Sequence, residues 1–241
     1  MRGSSEVWVE MKVGMATHVG KVRAVNEDSI GWKGMLLVLA DGMGGHQAGE
    51  VASALVVERV LALDTTGPDF KTALISTLNE ANQALLAYAG AHQECLGMGT
   101  TVVVTKVEGD RLCVAHIGDS RAYLWRQGTC TQLTNDHSLV TELVRSGGIT
   151  PEEAKNHPQR HILTRALGSP GPVEPEYQEI AVAADDRLLL CSDGLTAMLS
   201  DEEINAVLGM EASPQVIADA LVAAANDRGG IDNISAIVAF L

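Results

Sequence analysis

The chain has 241 residues, 46% of them hydrophobic, and a formal net charge of −14. That apolar content is too high for a disordered chain, and the uninterrupted apolar runs fall far short of the ~20 residues a membrane helix needs. The acidic balance argues against nucleic-acid or membrane partners, because both call for positive patches. The opening segment MRGSSEVWVE lacks an apolar signal core, so no export is expected. Four cysteines, Cys95, Cys113, Cys130 and Cys191, show no C-x-x-C spacing. They fit a reducing, cytoplasmic location and not a zinc–thiolate site.

In chain order, residues 7–16 read as a strand that ends near a turn at Gly20. Stretches 29–32 and 35–40 flank Lys33 and Gly34, which reads as a tight hairpin. Apolar residues at 51, 52, 55, 56, 60 and 63 share one helix face, and the same period runs from Phe70 through Leu74, Leu78, Ala81 and Leu85 to Tyr88. Four short strands follow, at 100–107, 111–117, 121–125 and 129–133, separated by EGD, GDS and RQG. That spacing describes one antiparallel meander. Residues 137–165 are polar and rich in His and Arg; Thr150, Pro151 and Glu153 make a capping box there. Short helices inserted as a mobile lid are expected in this stretch. A strand at 187–191, a helix capped by Ser200, a helix starting at Ser213 and Pro214, and a last strand at 234–240 complete the chain. Strands in runs and helices in pairs point to α+β with mainly antiparallel sheet.

Two apolar runs end in the same way. MLLVLADGMGG at 35–45 stops at Asp41, and RLLLCSDGL at 187–195 delivers Asp193 before a glycine. With Lys33 and Gly34 as the turn residues, Asp28 faces Leu39 and Glu27 faces Ala40, which sets both acids beside Asp41. Asp119 in HIGDSR and Asp232 in GGIDNIS lie at other strand ends. A single Asp-Gly after a strand is ordinary turn chemistry, and Asn233 beside Asp232 reads equally well as a turn residue; the weight falls on several such acids in one chain. If they converge, two carboxylates ~4 Å apart repel by about 4 kcal/mol at an effective dielectric of 20. Divalent cations remove that cost, and all-oxygen ligands select Mg²⁺ or Mn²⁺. Gly42 can then offer its carbonyl to a metal, while Gly44 and Gly45 let a bulky substrate approach. Arg23, five residues before Asp28, supplies a fork for phosphate. Two close metals that activate a water, plus one arginine, suit phosphoryl transfer to water.

The ordered set R-x-x-N-E-D at 23–28, ADGMGGH at 40–46, MGTT at 98–101, HIGDSR at 116–121, NDH at 135–137, RHILTRALG at 160–168, CSDGL at 191–195 and DN at 232–233 resembles the metal-dependent type 2C (PPM) serine/threonine protein phosphatases in their short bacterial form. The resemblance implies one catalytic domain over 6–241, a central β-sandwich of two antiparallel sheets flanked by helix pairs (αββα), and a flap at about 138–165. It implies two Mn²⁺ or Mg²⁺ ions, with Asp41 bridging, Gly42 giving its carbonyl to one, and Asp193 and Asp232 holding the other. Glu27 and Asp28 match acids that bind metal directly or through water, and Asp119, with Asp193, matches a third, weaker site. Arg23 matches the phosphate-binding arginine. Met43 stands where many eukaryotic members carry a histidine, which leaves His46, His161 or a metal-bound water as candidates for the acid. The implied substrates are phosphoserine and phosphothreonine proteins, the implied counterpart a Ser/Thr kinase, and the implied state a monomer. Two rival readings are a phosphoprotein-binding pseudoenzyme, which would need a lost metal acid, and a two-metal hydrolase of small phosphoesters.

Overall fold

The computed structural model describes residues 11–44, 48–67 and 69–241. The chain opens with β1 (Lys12–His18) and the hairpin β2 (Asp28–Lys33) and β3 (Leu36–Met43), followed by helices α1 (Ala48–Ala62) and α2 (Phe70–Ala91). Next come β4 (Gly99–Thr100), β5 (Val102–Glu108), β6 (Arg111–Ile117), β7 (Arg121–Arg126) and β8 (Thr129–Gln132). The short helices α3 (Leu139–Arg145) and α4 (Pro151–Lys155) precede β9 (Glu176–Ala181) and β10 (Arg187–Cys191). Helices α5 (Asp193–Thr196), α6 (Asp201–Leu208) and α7 (Pro214–Asp227) lead to β11 (Ile234–Phe240).

The strands form two antiparallel sheets, one in the order β1-β11-β10-β7-β8 and one in the order β2-β3-β5-β6-β9, with β4 on the end of β3. The run LLVLA in β3 is apolar without alternation because both faces of the strand are covered. Leu37 and Leu39 enter the layer between the sheets with Leu112, Leu188, Leu190 and Ile237. Leu36, Val38 and Ala40 point the other way, onto Val56 of α1 and Leu74 and Leu78 of α2. On the opposite outer face, Leu189, Cys191 and Val238 meet Ile204 of α6 and Ile217 and Leu221 of α7. The layers therefore run helix, sheet, sheet, helix. Each fully buried Leu, Ile or Val in them contributes about 1.5–3 kcal/mol from removal of apolar surface from water.

The sequence-level caps form as expected. Thr150 and Glu153 close a capping box at α4, Ser200 and Glu203 do so at α6, and Ser213 caps α7 with proline in its first turn. Three expectations need correction. The hairpin register is shifted by two residues: Lys33 pairs with Leu36 and Asp28 pairs with Asp41. Gly34 and Met35 are the turn residues, since Gly34 takes the left-handed φ of +59° and Met35 does not, the pattern of a two-residue turn with glycine first. The expected meander is split, because β6 belongs to one sheet and β7 to the other, and residues 118–120 carry the chain across the sandwich. Strand β9 was not expected; it lies at a sheet edge, where burial follows no clean period. The first strand begins at Lys12, and positions 7–10 of the expected strand lie outside the described residues.

The segment after the short helices is fastened from below by α2. The fully buried Asn82 donates to the carbonyls of Ser169 and Gly171, both at 3.0 Å, and accepts from the Gly168 amide at 2.6 Å. Asn82→Leu keeps the volume and leaves those three backbone groups unpaired. It is expected to lower the unfolding free energy by about 1–3 kcal/mol, measured by urea denaturation followed by circular dichroism. An unchanged midpoint would show that the loop is held without it.

Candidate active site

One end of the sandwich gathers the acids. The starts of β2 and α5, the far end of β3, the turn after β6 and the loop before β11 surround a cavity of about 770 Å³. Of the expected site residues, Glu27, Asp41, Asp119, Asp193 and Asp232 line it, together with Arg23, Gly42 and His161. Asp28 does not reach the wall. It is buried behind Asp41, its register partner, and its Oδ2 accepts from Ser192 Oγ at 2.8 Å. His46 lies outside the described residues.

Both Asp-Gly pairs have a steric explanation. A Cβ on Gly42 would stand 2.1 Å from the carbonyl oxygen of Gly49 and 2.6 Å from that of Glu27. Only a bare backbone lets the start of α1 and the Glu27 strand close on Asp41, and the Gly42 amide donates to Glu27 O at 3.0 Å across that contact. The Gly49 amide, in the first turn of α1, favours the charged Glu27 carboxylate and offsets part of the rise that burial gives its pKa. A Cβ on Gly194 would stand 2.0 Å from Asn233 O. Glycine there brings the Asp193 turn against the Asp232 loop.

Four polar residues that sequence reasoning left without a role fix the acids in place. Asn233 accepts from the Glu27 amide at 2.8 Å and donates to Val19 O and Val25 O at 3.0 and 2.9 Å. It thereby ties the loop between β1 and β2, at three points, to the loop before β11. Thr101 Oγ1 accepts the Asp41 amide at 3.0 Å and lies 2.7 Å from Ser120 Oγ, beside Asp119. Ser192 Oγ, besides donating to Asp28, accepts the Ser235 amide at 3.0 Å, so one hydroxyl joins the two sheets. Small polar residues directly beside or paired to the acids were the available signal. Arg165, inside the quoted motif RHILTRALG, is a further lining residue that was not singled out.

Although the carboxyls open onto the cavity, protein surrounds each on most sides, and that desolvation is the largest cause of their shifts. Burial, then the charges of Asp28, Asp193, Asp119 and Asp232, hold Asp41 well above the ordinary carboxylate range. Burial and Asp232 raise Asp193. Burial, Asp193 and Asp136 push Asp119 up to about 8, and burial pushes Asp28 up to about 6. Compensation within the chain is thin. Arg23 Nη2 donates to Asp232 Oδ2 at 2.8 Å, from a guanidinium half exposed to solvent. Asp28 Oδ1 is buried with no hydrogen-bond partner among the described residues. An all-oxygen carboxylate set with protons held this high fits hard divalent cations, which would take the place of those protons.

A model of the family described as protein phosphatase 2C matches residues 18–228. The chain belongs to the protein phosphatase 2C family. The serine/threonine phosphatase Stp of Listeria innocua is 40% identical over 234 residues, 92% of each chain. The crystal structure of the Mycobacterium tuberculosis serine/threonine phosphatase PstP/Ppp has a TM-score of 0.92 to this chain at 43% identity, covering 97% of this chain and 99% of that one. The catalytic domain of the phosphatase PstP, solved in complex with two manganese ions, has a TM-score of 0.89 at 41% identity, covering 96% and 98%.

In this protein phosphatase 2C chain, a carboxyl whose pKa rises on folding binds its proton more tightly in the folded state. Its contribution to stability is present below the unfolded pKa of about 4 and is lost as the pH rises through the folded value. For Asp119 that window ends at about 8. Asp119→Asn mimics the protonated acid. Its gain in melting temperature over the unaltered chain, both in chelator, is expected to grow from about pH 4 to about pH 8, at roughly 2–4 °C per kcal/mol. A gain independent of pH would show that Asp119 carries no raised pKa.

Proposed function

We propose that this protein phosphatase 2C chain is a metal-dependent phosphoprotein phosphatase that hydrolyses phosphoserine and phosphothreonine in proteins. The observation that carries the reading is the convergence of Asp41, Asp193 and Asp232 with Arg23 on one cavity. Asp41 would bridge two Mn²⁺ or Mg²⁺ ions, Gly42 would give its carbonyl to one, and Asp193 and Asp232 would hold the other. Glu27 faces the same cavity from the wall, Asp28 adds its charge from behind, and Asp119 with Asp193 would form a third, weaker site. When bound, such a pair of cations supplies a nucleophilic water near neutral pH and offsets charge on the phosphoryl oxygens.

The chain's own groups do the rest. Arg23 is held at the cavity edge by Asp232, which leaves its other donors for a phosphoryl oxygen. His161 lines the cavity and offsets part of the rise that burial and Asp232 give the Asp193 pKa. It would be a candidate, beside His46 and a metal-bound water, to give a proton to the departing serine or threonine oxygen. Met43 also lines the cavity and has no proton to give. Leu163, Thr164 and Arg165 reach the wall from the end of the 138–165 segment, which supports its reading as a flap that shapes substrate access. The catalytic domain is read as 6–241, with the family match at 18–228 in support. A monomer that works in the cytoplasm against a bacterial Ser/Thr kinase is the reading for its setting. Among the described residues no helix is long and apolar enough to cross a membrane. A pseudoenzyme would lack one of these acids, and all of them are present.

Manganese-dependent phosphate release from a phosphothreonine peptide, compared with a phosphodiester, tests the reading. The peptide is expected to be the substrate, and chelator is expected to abolish release. Asp193→Ala is expected to lower kcat/KM by about 10²–10³-fold or more, the scale for losing one electrostatic group. Arg23→Ala is expected to raise KM for the peptide with a smaller change in kcat. Metal-independent release would refute the mechanism, and a preference for the diester would refute the substrate class.

A further inference from the structure

Two buried histidines lie beside the site without a role in the reading above. His116 on β6 and His137 after β8 stack their rings, with centroids 4.6 Å apart and planes at 18°. With Glu176 at the start of β9, they place three potential ligand atoms within 4.8 Å of one another. That grouping resembles a metal site, but the hydrogen bonds of His137 keep that ring from serving as a ligand. The Gly118 amide donates to His137 Nδ1 at 3.1 Å. A backbone N–H can only donate, so Nδ1 must present its lone pair, and in a neutral ring the proton sits on Nε2. There it faces Glu176 Oε2 at 3.3 Å. His116 Nε2 lies 2.7 Å from the carbonyl of Asn135, which can only accept, so it too bears its proton. A metal-bound histidine ligates through one nitrogen while the other donates; His137, whose Nδ1 accepts, cannot do so through Nε2, which leaves only His116 and Glu176 of the three. Burial pushes both imidazoles below their ordinary value, in keeping with neutral rings.

The amide that His137 accepts belongs to the residue before Asp119. Gly118 has a left-handed φ of +105°, and His137 closes both of its backbone groups. The ring takes the amide, and the His137 N–H donates to Gly118 O at 2.9 Å. On its other side, His137 O accepts from Thr164, a cavity residue, at 2.8 Å. We infer that His137 is a positioning residue for Asp119: its ring, held in the Nε2–H tautomer by Glu176, clamps the Gly118 turn that aims the carboxyl into the cavity. The inference rests on the reading of Asp119 as a ligand of the weaker cation site. It assigns the histidine of the NDH stretch a task that does not touch substrate.

Manganese binding to the full chain, counted by electron paramagnetic resonance titration, tests it with no activity assay. Asp119→Ala is expected to lose the weakest Mn²⁺ site. His137→Leu is expected to weaken that same site by about 10–100-fold, the scale for a residue that orients a ligand, and to leave the tighter sites unchanged. His137→Asn, whose Oδ1 can stand near the place of Nδ1, is expected to restore most of the loss. If Asp119→Ala loses no site, the ligand reading falls and takes this inference with it. If Asp119→Ala loses the site and His137→Leu does not, the inference alone falls. Equal losses in His137→Leu and His137→Asn would mean that the ring acts by bulk, which also overturns it. Nitrogen NMR of the unaltered protein adds a check that needs no variant. A proton found on His137 Nδ1 at neutral pH would be decisive against the clamp.

Discussion

Crowding of carboxylates is the constraint on which the rest of this structure depends. Like charges at one end of a fold cost several kcal/mol in a medium of intermediate dielectric, and Arg23, paired with Asp232, offsets only part of that cost. Backbone contact sets the distance of approach. At Gly42 and Gly194 no side chain fits between the acid and the neighbouring segment, so the acids are brought together by packing and not by mutual attraction. The packing free energy of the sandwich bears the cost of burying and crowding these acids, and the pKa values of Asp28, Asp41, Asp119 and Asp193 are raised first by burial and then by the neighbouring charges.

The four-layer architecture explains why this strain does not simply push the loops apart. Strands β3, β10 and β11 are covered on both faces and enter the site from a rigid core. Small hydroxyl and amide side chains then finish the work at their ends. Ser192 spans the two sheets, Thr101 ties the Asp41 strand to the Asp119 turn, and Asn233 fixes the loops that carry Glu27 and Asp232. Each of these groups is hydrogen-bonded to backbone and, for Ser192 and Thr101, to a side chain as well, so each adds rigidity without itself being left unpaired.

Much of this was legible in the sequence, for identifiable reasons. Uninterrupted apolar runs revealed strands buried on both faces, and acids at their ends revealed where the site would lie. Caps at Thr150, Ser200 and Ser213 were readable because capping is local chemistry. Apart from β9, whose burial follows no clean period, the misreadings concern which segments pair. Whether the turn begins at Lys33 or at Gly34 moves every partner in the hairpin by two residues yet keeps each side chain on its face, so the apolar pattern cannot tell the two apart. The actual choice sets Asp28 directly opposite Asp41. Strands β6 and β7 are joined by a short turn whether they pair or change sheets. The task of Asn233 depends on a loop about two hundred residues away in sequence, which no local pattern records.

The charge arrangement also says what the bare chain cannot do. A phosphomonoester is a dianion, and the cavity offers it five carboxyl groups against Arg23, Arg165 and His161. Arg23, the best placed of these, already spends one donor on Asp232. Without cations, each acid that has lost its proton would repel the substrate, more strongly beside a low-dielectric wall, and each that keeps its proton would offer it no positive charge. The feature that makes the acids costly to bring together thus excludes phosphate from the unloaded site. Cation binding and phosphate binding are therefore coupled through the same carboxylates, which makes the acids gatekeepers for substrate as well as ligands for metal.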